Sequence, residues 1–202
     1  MKQLGLMGGT FDPIHLGHLR AAEEARVHFN LARVIFVPAG NPPHKNGVIT
    51  PAAVRLEMTQ AAIMNSGHFA VSDFEMQSPG KSYTVNTLEY FRSIYGAEWE
   101  IFFITGADAI LEILTWHDVQ RLMTMCKFIA VARPGYAQGG LQREIAKFPG
   151  EIQEKVLLLE VPGLHISSTE IRDKVKVGAA IDQFVPKKVE EIIKHYNLYK
   201  TQ

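Results

Sequence analysis

Residues 4–18 read LGLMGGTFDPIHLGH and carry the strongest structural signal in the chain. The apolar run Leu4–Met7 predicts a buried strand, and the two glycines that follow it let backbone N–H groups approach a ligand closely. The chain then turns through Pro13 into a helix predicted from Leu16 to Phe29. A strand, a glycine turn and a helix in this order predict the first unit of a parallel α/β sheet.

Two histidines stand at the start of that helix. His15 and His18 are three residues apart, so both imidazoles can point the same way. A helix N-terminus favours anions, and two imidazoles add N–H donors suited to phosphate oxygens. A metal-binding pair and two ordinary surface histidines are the alternatives. Because a glycine turn precedes the pair, the pattern favours a phosphate site.

The rest of the chain alternates short apolar runs with amphipathic segments, which is typical of a doubly wound parallel α/β sheet. Further strands are predicted at 34–37, 70–72, 100–105, 128–132 and 156–159. Further helices are predicted from Pro51 with Thr50 as its cap, over 84–95 and 116–125, and from Thr169 and Pro186. We expect inward-facing side chains at Leu16, Leu19, Ala22, Ala25, Val85, Leu88, Phe91, Ile94, Val189, Ile192, Ile193 and Tyr196. We expect one domain over residues 1–202, with residues 134–154 as a mobile insert.

Composition narrows the class of function. The 202 residues hold 21 basic and 21 acidic side chains, so the basic excess typical of a nucleic-acid binder is missing. No apolar run approaches the ~18 residues of a membrane span, and the first 20 residues do not resemble a signal peptide. The single Cys126 suits a reducing compartment. We therefore expect a cytoplasmic protein that handles a small molecule, without nucleic acid or membrane as a partner.

Two other glycine patterns do not lead to a function. Gly5, Gly8 and Gly9 are spaced G-x-x-G-G, which is not the dinucleotide-binding pattern G-x-G-x-x-G. Gly80-Lys81-Ser82 matches the end of a phosphate-binding P-loop, but Glu75 stands where that loop needs its first glycine. A hydride-transfer site and a P-loop are therefore both disfavoured.

A second motif lies far downstream, at residues 166–172, which read ISSTEIR. Ser167 and Glu170 have the spacing of a capping box, whose helix leaves free N–H groups for an anion. Arg172 follows Ser168 by four residues and lies on the same helix face. Taken alone, this pattern is an ordinary helix cap. A family resemblance carried by both motifs implies that together they clamp a nucleotide.

The two motifs resemble the signatures of adenylyl- and cytidylyltransferases. Residues 41–45 (NPPHK), 81–88 (KSYTVNTL), 106–108 (GAD), Trp116 and 133–135 (RPG) further resemble bacterial nicotinate-nucleotide adenylyltransferases. The similarity runs from about residue 3 to residue 195 and implies a Rossmann-like nucleotidyltransferase fold with C-terminal helices. Asn86 departs from the family pattern, which has an acidic residue at that position.

The resemblance also implies the roles of individual residues. It implies catalytic roles for His15, His18 and Arg172. It implies that ATP is bound by Gly8, Gly9, Thr10, Phe11, Lys45, Ser167, Ser168 and Thr169. It implies that nicotinate mononucleotide is bound by His44, Ser82, Tyr83, Thr84, Asp108, Trp116 and Arg133.

The activity that the resemblance implies joins ATP to nicotinate mononucleotide, giving deamido-NAD and pyrophosphate. Mg²⁺ would arrive with ATP, since the sequence shows no clustered carboxylates for a protein metal cage. A homo-oligomer is compatible with this activity. The alternatives are a sister enzyme that uses nicotinamide mononucleotide, phosphopantetheine or a sugar phosphate, a nucleotide sensor without turnover, and a histidine-metal hydrolase.

Overall fold

A six-stranded parallel sheet forms the centre of the protein. The computed structural model describes residues 1–42, 49–132, 140–162 and 166–200. The strands are β1 (Lys2–Gly9), β2 (Arg33–Pro38), β3 (Phe69–Val71), β4 (Trp99–Gly106), β5 (Lys127–Ala132) and β6 (Val156–Glu160). They are ordered β3-β2-β1-β4-β5-β6, and every neighbouring pair is parallel. The predicted doubly wound α/β fold is therefore confirmed.

Helices cover both faces of the sheet. They are α1 (Leu16–His28), α2 (Ala52–Ile63), α3 (Phe74–Gln77), α4 (Thr84–Tyr95), α5 (Ala107–Leu111), α6 (Val119–Met125), α7 (Gln142–Ile145), α8 (Gly150–Gln153), α9 (Ser168–Lys176) and α10 (Lys187–His195), with a 3₁₀ turn at Ile113–Thr115. Within the described ranges, no helix is both long enough and apolar enough to cross a membrane.

The core consists of two apolar clusters, one on each face of the sheet. Successive strand side chains point to opposite faces, so Phe103 belongs to one cluster while Phe102 and Ile104 belong to the other. The first cluster packs under α4 and α6, through residues such as Leu88 and Leu122. The second packs under α1, α2, α9 and α10, where Ala22, Met58, Ile171 and Val189 are fully buried. Both faces are covered, which is why the strands read as continuous apolar runs.

Several local predictions were wrong. Ile94 and Tyr196 are 56% and 45% exposed, although Phe91 and Ile193, three residues earlier in each case, are buried. Leu16 is 37% exposed at the start of α1. The predicted helix 116–125 begins only at Val119, because Asp118 adopts a left-handed backbone (φ 53°) that the helix cannot include. Trp116 therefore lies in extended backbone before α6.

Two further boundaries also differ from expectation. Pro51, rather than Thr50, occupies the N-cap of α2. Thr50 instead uses its backbone, donating its N–H to Asp12 and accepting from the Arg55 side chain. Of the expected mobile insert 134–154, residues 134–139 lie outside the described residues, and the remainder forms α7 and α8. The side chains of Leu141, Ile145 and Ile152 are buried in the core, so this remainder is a packed segment.

The loop after β2 lies directly against α3. A Cβ atom at Gly40 would overlap the backbone carbonyl oxygen of Glu75, so a side chain cannot be accommodated without moving one of the two backbones. The structure thus requires glycine at this position because of close packing.

Gly40→Ala should destabilise the fold by about 1–3 kcal/mol, the usual cost of overpacking. Gly67→Ala is the matched control, since a Cβ there meets nothing within 4 Å. It should leave the free energy of unfolding unchanged or raise it slightly. Urea denaturation of both variants measures the difference, and equal stabilities would contradict the close approach.

Candidate active site

The carboxyl ends of β1 and β4 border two adjoining cavities. Along the sheet, the strands that follow β1 in sequence lie first on one side of it (β2 and β3) and then on the other (β4 to β6). In doubly wound folds, ligands bind at the carboxyl ends of the strands where the order reverses in this way. The larger cavity, of about 700 Å³, is lined by Gly8, Gly9, Thr10, Ser82, Tyr83, Thr84, Trp116 and His117, among others. The smaller, of about 360 Å³, is lined by His15, His18, Asp108 and Ile166, among others. Thr105 of β4 lines both cavities, so their occupants would meet beside it.

The turn between β1 and α1 forms the near wall of both cavities. A Cβ at Gly8 would come within 2.5 Å of the Phe103 ring, so close packing requires glycine there. Phe11 has a left-handed backbone (φ 50°) and is only 2% exposed. Its ring meets His18 edge-on at 5.1 Å and lies outside the described lining of both cavities. The Phe11 side chain therefore packs against the His18 ring without lining either cavity.

The two histidines cap α1 reciprocally. The His18 N–H donates to Nδ1 of His15 and the His15 N–H donates to Nδ1 of His18, both at 3.3 Å. The rings stack with centroids 3.6 Å apart. Because each Nδ1 accepts a backbone proton, a neutral ring carries its own proton on Nε2. Burial, and then the neighbouring His15, lower the pKa of His18 well below its ordinary value, so His18 is neutral at pH 7.

The downstream motif holds this turn in place. Ser167 is the N-cap of α9 and accepts the Glu170 N–H at 3.1 Å, so the predicted cap is confirmed, whereas the return bond of a capping box, from the Ser167 N–H to the Glu170 side chain, is not found among the described hydrogen bonds. The Ser168 hydroxyl donates to the carbonyl of Pro13 at 2.9 Å. Arg172 donates from Nη1 to the carbonyl of Asp12 at 2.8 Å and from Nη2 to Thr169 Oγ1 at 3.1 Å. The two motifs thus meet in the fold, as the sequence predicted.

The residues of α9 that were predicted to contact phosphate do not line the two cavities. Ser167, Ser168 and Thr169 are not among the described lining residues of either cavity, and Arg172 is not among them either. Ser167 and Thr169 instead line a shallow surface groove beside α9. Their binding of ATP stays a prediction.

Aromatic and polar groups predicted to bind the second substrate line the larger cavity. Trp116 packs edge-on against Phe103 and Phe128, with centroids about 6 Å away. Tyr83 is the N-cap of α4, and its ring lies 4.5 Å from that of His117. The first turn of α4, which begins at Thr84, contains no acidic residue. The dipole of α4 is positive at the end that faces this cavity, and the charged side chains lining the cavity are Lys81, Glu75 and Glu112.

Two of the predicted residues occupy unexpected places. The Ser82 hydroxyl accepts the N–H groups of Gly40 and Asn41 at 3.0 and 3.1 Å, so it holds the loop after β2. Asp108 lines the smaller cavity beside the histidines, away from Trp116. His44, Lys45 and Arg133 lie outside the described residues.

Sequence reasoning missed a buried polar network beneath the site. Arg55 of α2 is 1% exposed and donates to three backbone carbonyls, those of Thr10 (2.7 Å), Thr50 (2.9 Å) and Gly40 (3.2 Å). Burial lowers the pKa of Arg55, while Asp12 is the largest of the charges that raise it. Asp12 is the spacer residue of the first motif, and Arg55 lies in an otherwise ordinary helix pattern. Of these two residues, only Asp12 could have been singled out from the sequence, because it lies inside the first motif.

Glu75 lies beside the same network and lines the larger cavity. Its carboxyl group accepts the Thr87 hydroxyl at 2.5 Å. Burial raises the pKa of Glu75, against the hydrogen bonds from Thr87 and Ser82, which lower it. Among the described residues, no group of three or more histidine, cysteine or acidic side chains could hold a metal ion.

Comparisons with known proteins agree with this geometry. A family model described as cytidylyltransferase-like matches residues 6–174. A protein of Moorella thermoacetica named probable nicotinate-nucleotide adenylyltransferase is 49% identical over 98% of this chain and 92% of its own length. One of the same name from Thermoanaerobacter is 46% identical over 98% and 94%.

A solved structure of similar fold is the nicotinic acid mononucleotide adenylyltransferase of Plasmodium falciparum complexed with NaAD. It is 22% identical, covers 98% of each chain and has a TM-score of 0.81. The same enzyme complexed with APC matches with a TM-score of 0.77. The chain belongs to the cytidylyltransferase-like family and, within it, to the nicotinate-nucleotide adenylyltransferases.

Proposed function

We propose that this protein transfers the AMP group of ATP to nicotinate mononucleotide, giving deamido-NAD and pyrophosphate. The observation that carries the proposal is the pair of cavities that adjoin at Thr105, one beside two imidazoles and the other beside aromatic rings. The names of the full-length relatives point to the same reaction. Zero net charge and the buried Cys126 support a cytoplasmic enzyme of NAD biosynthesis whose partners are small nucleotides.

The smaller cavity is the proposed site of ATP. The Nε2–H of His18 is a donor for phosphate oxygens, and His15 lines the same cavity. The N-terminus of α1 carries no acidic residue that would repel those oxygens. The Asp108 carboxylate lines the same cavity and can accept a ribose hydroxyl.

The larger cavity is the proposed site of nicotinate mononucleotide. Trp116 and Tyr83 offer ring surfaces for the pyridine, a usual way of recognising an aromatic ligand. The electropositive start of α4 favours the nicotinate carboxylate over a neutral amide. Charge-assisted hydrogen bonds contribute ~1.5–3 kcal/mol each, against ~0.5–1.5 kcal/mol for neutral ones.

The chemical step needs no protein nucleophile. A phosphate oxygen of nicotinate mononucleotide attacks the α-phosphorus of ATP, a new P–O bond forms, and the bond from that phosphorus to the β-phosphate bridging oxygen breaks. Pyrophosphate leaves with the electron pair. The protein orients the two substrates, which can supply ~7–11 kcal/mol of the barrier, and the His18 Nε2–H stabilises charge on the transferred phosphate.

Mg²⁺ is proposed to accompany ATP. Its usual ligands are one or two carboxylates together with substrate phosphates. The described cavities offer Asp108 in the smaller one and Glu75 and Glu112 in the larger one, and no group of three metal-binding side chains is found among the described residues. When bound, the ion would neutralise charge on the departing pyrophosphate. We therefore propose that turnover depends on Mg²⁺ that arrives with the nucleotide.

The proposal is tested by pyrophosphate release from ATP and Mg²⁺ with four acceptors. These are nicotinate mononucleotide, nicotinamide mononucleotide, phosphopantetheine and a sugar phosphate. We expect kcat/KM for nicotinate mononucleotide to exceed that for the amide by at least ~10-fold, since 1.4 kcal/mol corresponds to tenfold. Equal efficiencies or an amide preference would assign the protein to a different acceptor, and binding of ATP without pyrophosphate release would make it a sensor.

His18→Ala should lower kcat by ~10²–10³-fold, because it removes one donor from the developing charge. His18→Gln keeps a neutral N–H donor of similar reach and should retain part of the lost activity. His28→Ala is the matched control, since His28 lies at the exposed far end of the same helix, ~15 Å along its axis. Wild-type turnover by a normally folded His18→Ala protein would exclude this role.

A further inference from the structure

The segment after α10 returns to the turn that carries the site. The Tyr199 hydroxyl donates to Asp12 Oδ1 at 2.6 Å, across 187 positions of sequence. Asn197 and Tyr199 both adopt left-handed backbone, with φ of 51° and 63°. Residues other than glycine rarely take this conformation, and they keep it where surrounding contacts hold them. The bond to Asp12 is such a contact.

Asp12 is held from several sides. It is 7% exposed, and its second oxygen, Oδ2, accepts the Thr50 N–H at 3.3 Å. Its main-chain carbonyl accepts Nη1 of Arg172 at 2.8 Å. Burial raises the pKa of Tyr199 and the Asp12 charge raises it further, so the phenol stays protonated and remains the donor.

We propose that Tyr199 is a positioning residue for the transfer reaction, acting through Asp12 on the turn between β1 and α1. The inference rests on the proposed function. Asp12 stands between Thr10, which lines the larger cavity, and His15, which lines the smaller one. A shift of the Asp12 backbone would move the walls of both cavities relative to each other.

Loss of the Tyr199 hydroxyl would leave the Asp12 carboxylate with partners on one side. Thr50 lies just before α2 and Arg55 lies near the start of α2, and both would draw the carboxylate toward that helix. Each substrate could still enter its own cavity, but the reacting atoms would no longer be in line. Misplacement of this kind lowers the rate of the step rather than the binding of either substrate.

Tyr199→Phe removes the hydroxyl and keeps the ring. We expect kcat to fall about tenfold while KM for ATP and for nicotinate mononucleotide each change less than about threefold. Tyr196→Phe is the matched control, because the exposed Tyr196 donates its hydroxyl at 3.1 Å to a different carboxylate, that of Glu57. This control should keep wild-type kcat.

A double-mutant cycle with Asp12→Ala tests the route of the effect. If Tyr199 acts through Asp12, Tyr199→Phe should lower kcat no further in the Asp12→Ala background. Wild-type kcat in Tyr199→Phe, or a loss that appears only as raised KM values or as unfolding at the assay temperature, would overturn the positioning role while leaving the function intact. Failure of the wild-type protein to release pyrophosphate from ATP and nicotinate mononucleotide would instead overturn the proposed function, and the positioning role with it.

Discussion

The backbone carbonyls of the turn between β1 and α1 accept hydrogen bonds from side chains far away in sequence. Arg55 reaches Thr10, Arg172 reaches Asp12, and Ser168 reaches Pro13. A turn leaving a strand has no ladder partner for these groups, and a buried carbonyl without a partner is costly. The side chains that donate to these carbonyls also fix the position of the turn. The need to pair the buried carbonyls therefore also determines the geometry of the site.

This constraint explains why the site draws on both ends of the chain. α9 enters the structure next to the turn, with its N-cap at Ser167 and two of its side chains bonded to turn carbonyls. A helix N-terminus at that place adds positive potential near the reciprocal cap of His15 and His18. The N-termini of α1 and α9 thus lie beside the same turn, although Ser167 and Thr169 line a separate groove next to the two cavities' described walls.

The sequence predicted the parts of this arrangement that depend on local pattern. The helix Thr84–Tyr95 was predicted residue for residue, since its apolar spacing is regular, and the cap at Ser167 followed from its spacing to Glu170. The doubly wound sheet followed from the alternation of apolar runs with amphipathic segments, and the meeting of the two motifs followed from the resemblance to a family. The hydrogen bonds of Arg55 to Thr10 and of Tyr199 to Asp12 could not be predicted from the sequence. They join residues 45 and 187 positions apart, and the sequence around Arg55 and Tyr199 contains no motif that points to a distant partner. The bond between Ser82 and Gly40 could not be predicted for the same reason, and the predicted substrate role of Ser82, which lines the larger cavity, stays a prediction.

In the proposed reaction the protein positions two substrates and stabilises charge, and AMP passes from ATP directly to the mononucleotide without a protein-bound intermediate. The stereochemical course at the α-phosphorus tests this claim most directly, using ATP whose α-phosphorus is made chiral by sulfur substitution. A single in-line displacement predicts inversion of configuration in the dinucleotide product. Retention would require two displacements through a covalent protein intermediate and would contradict the account.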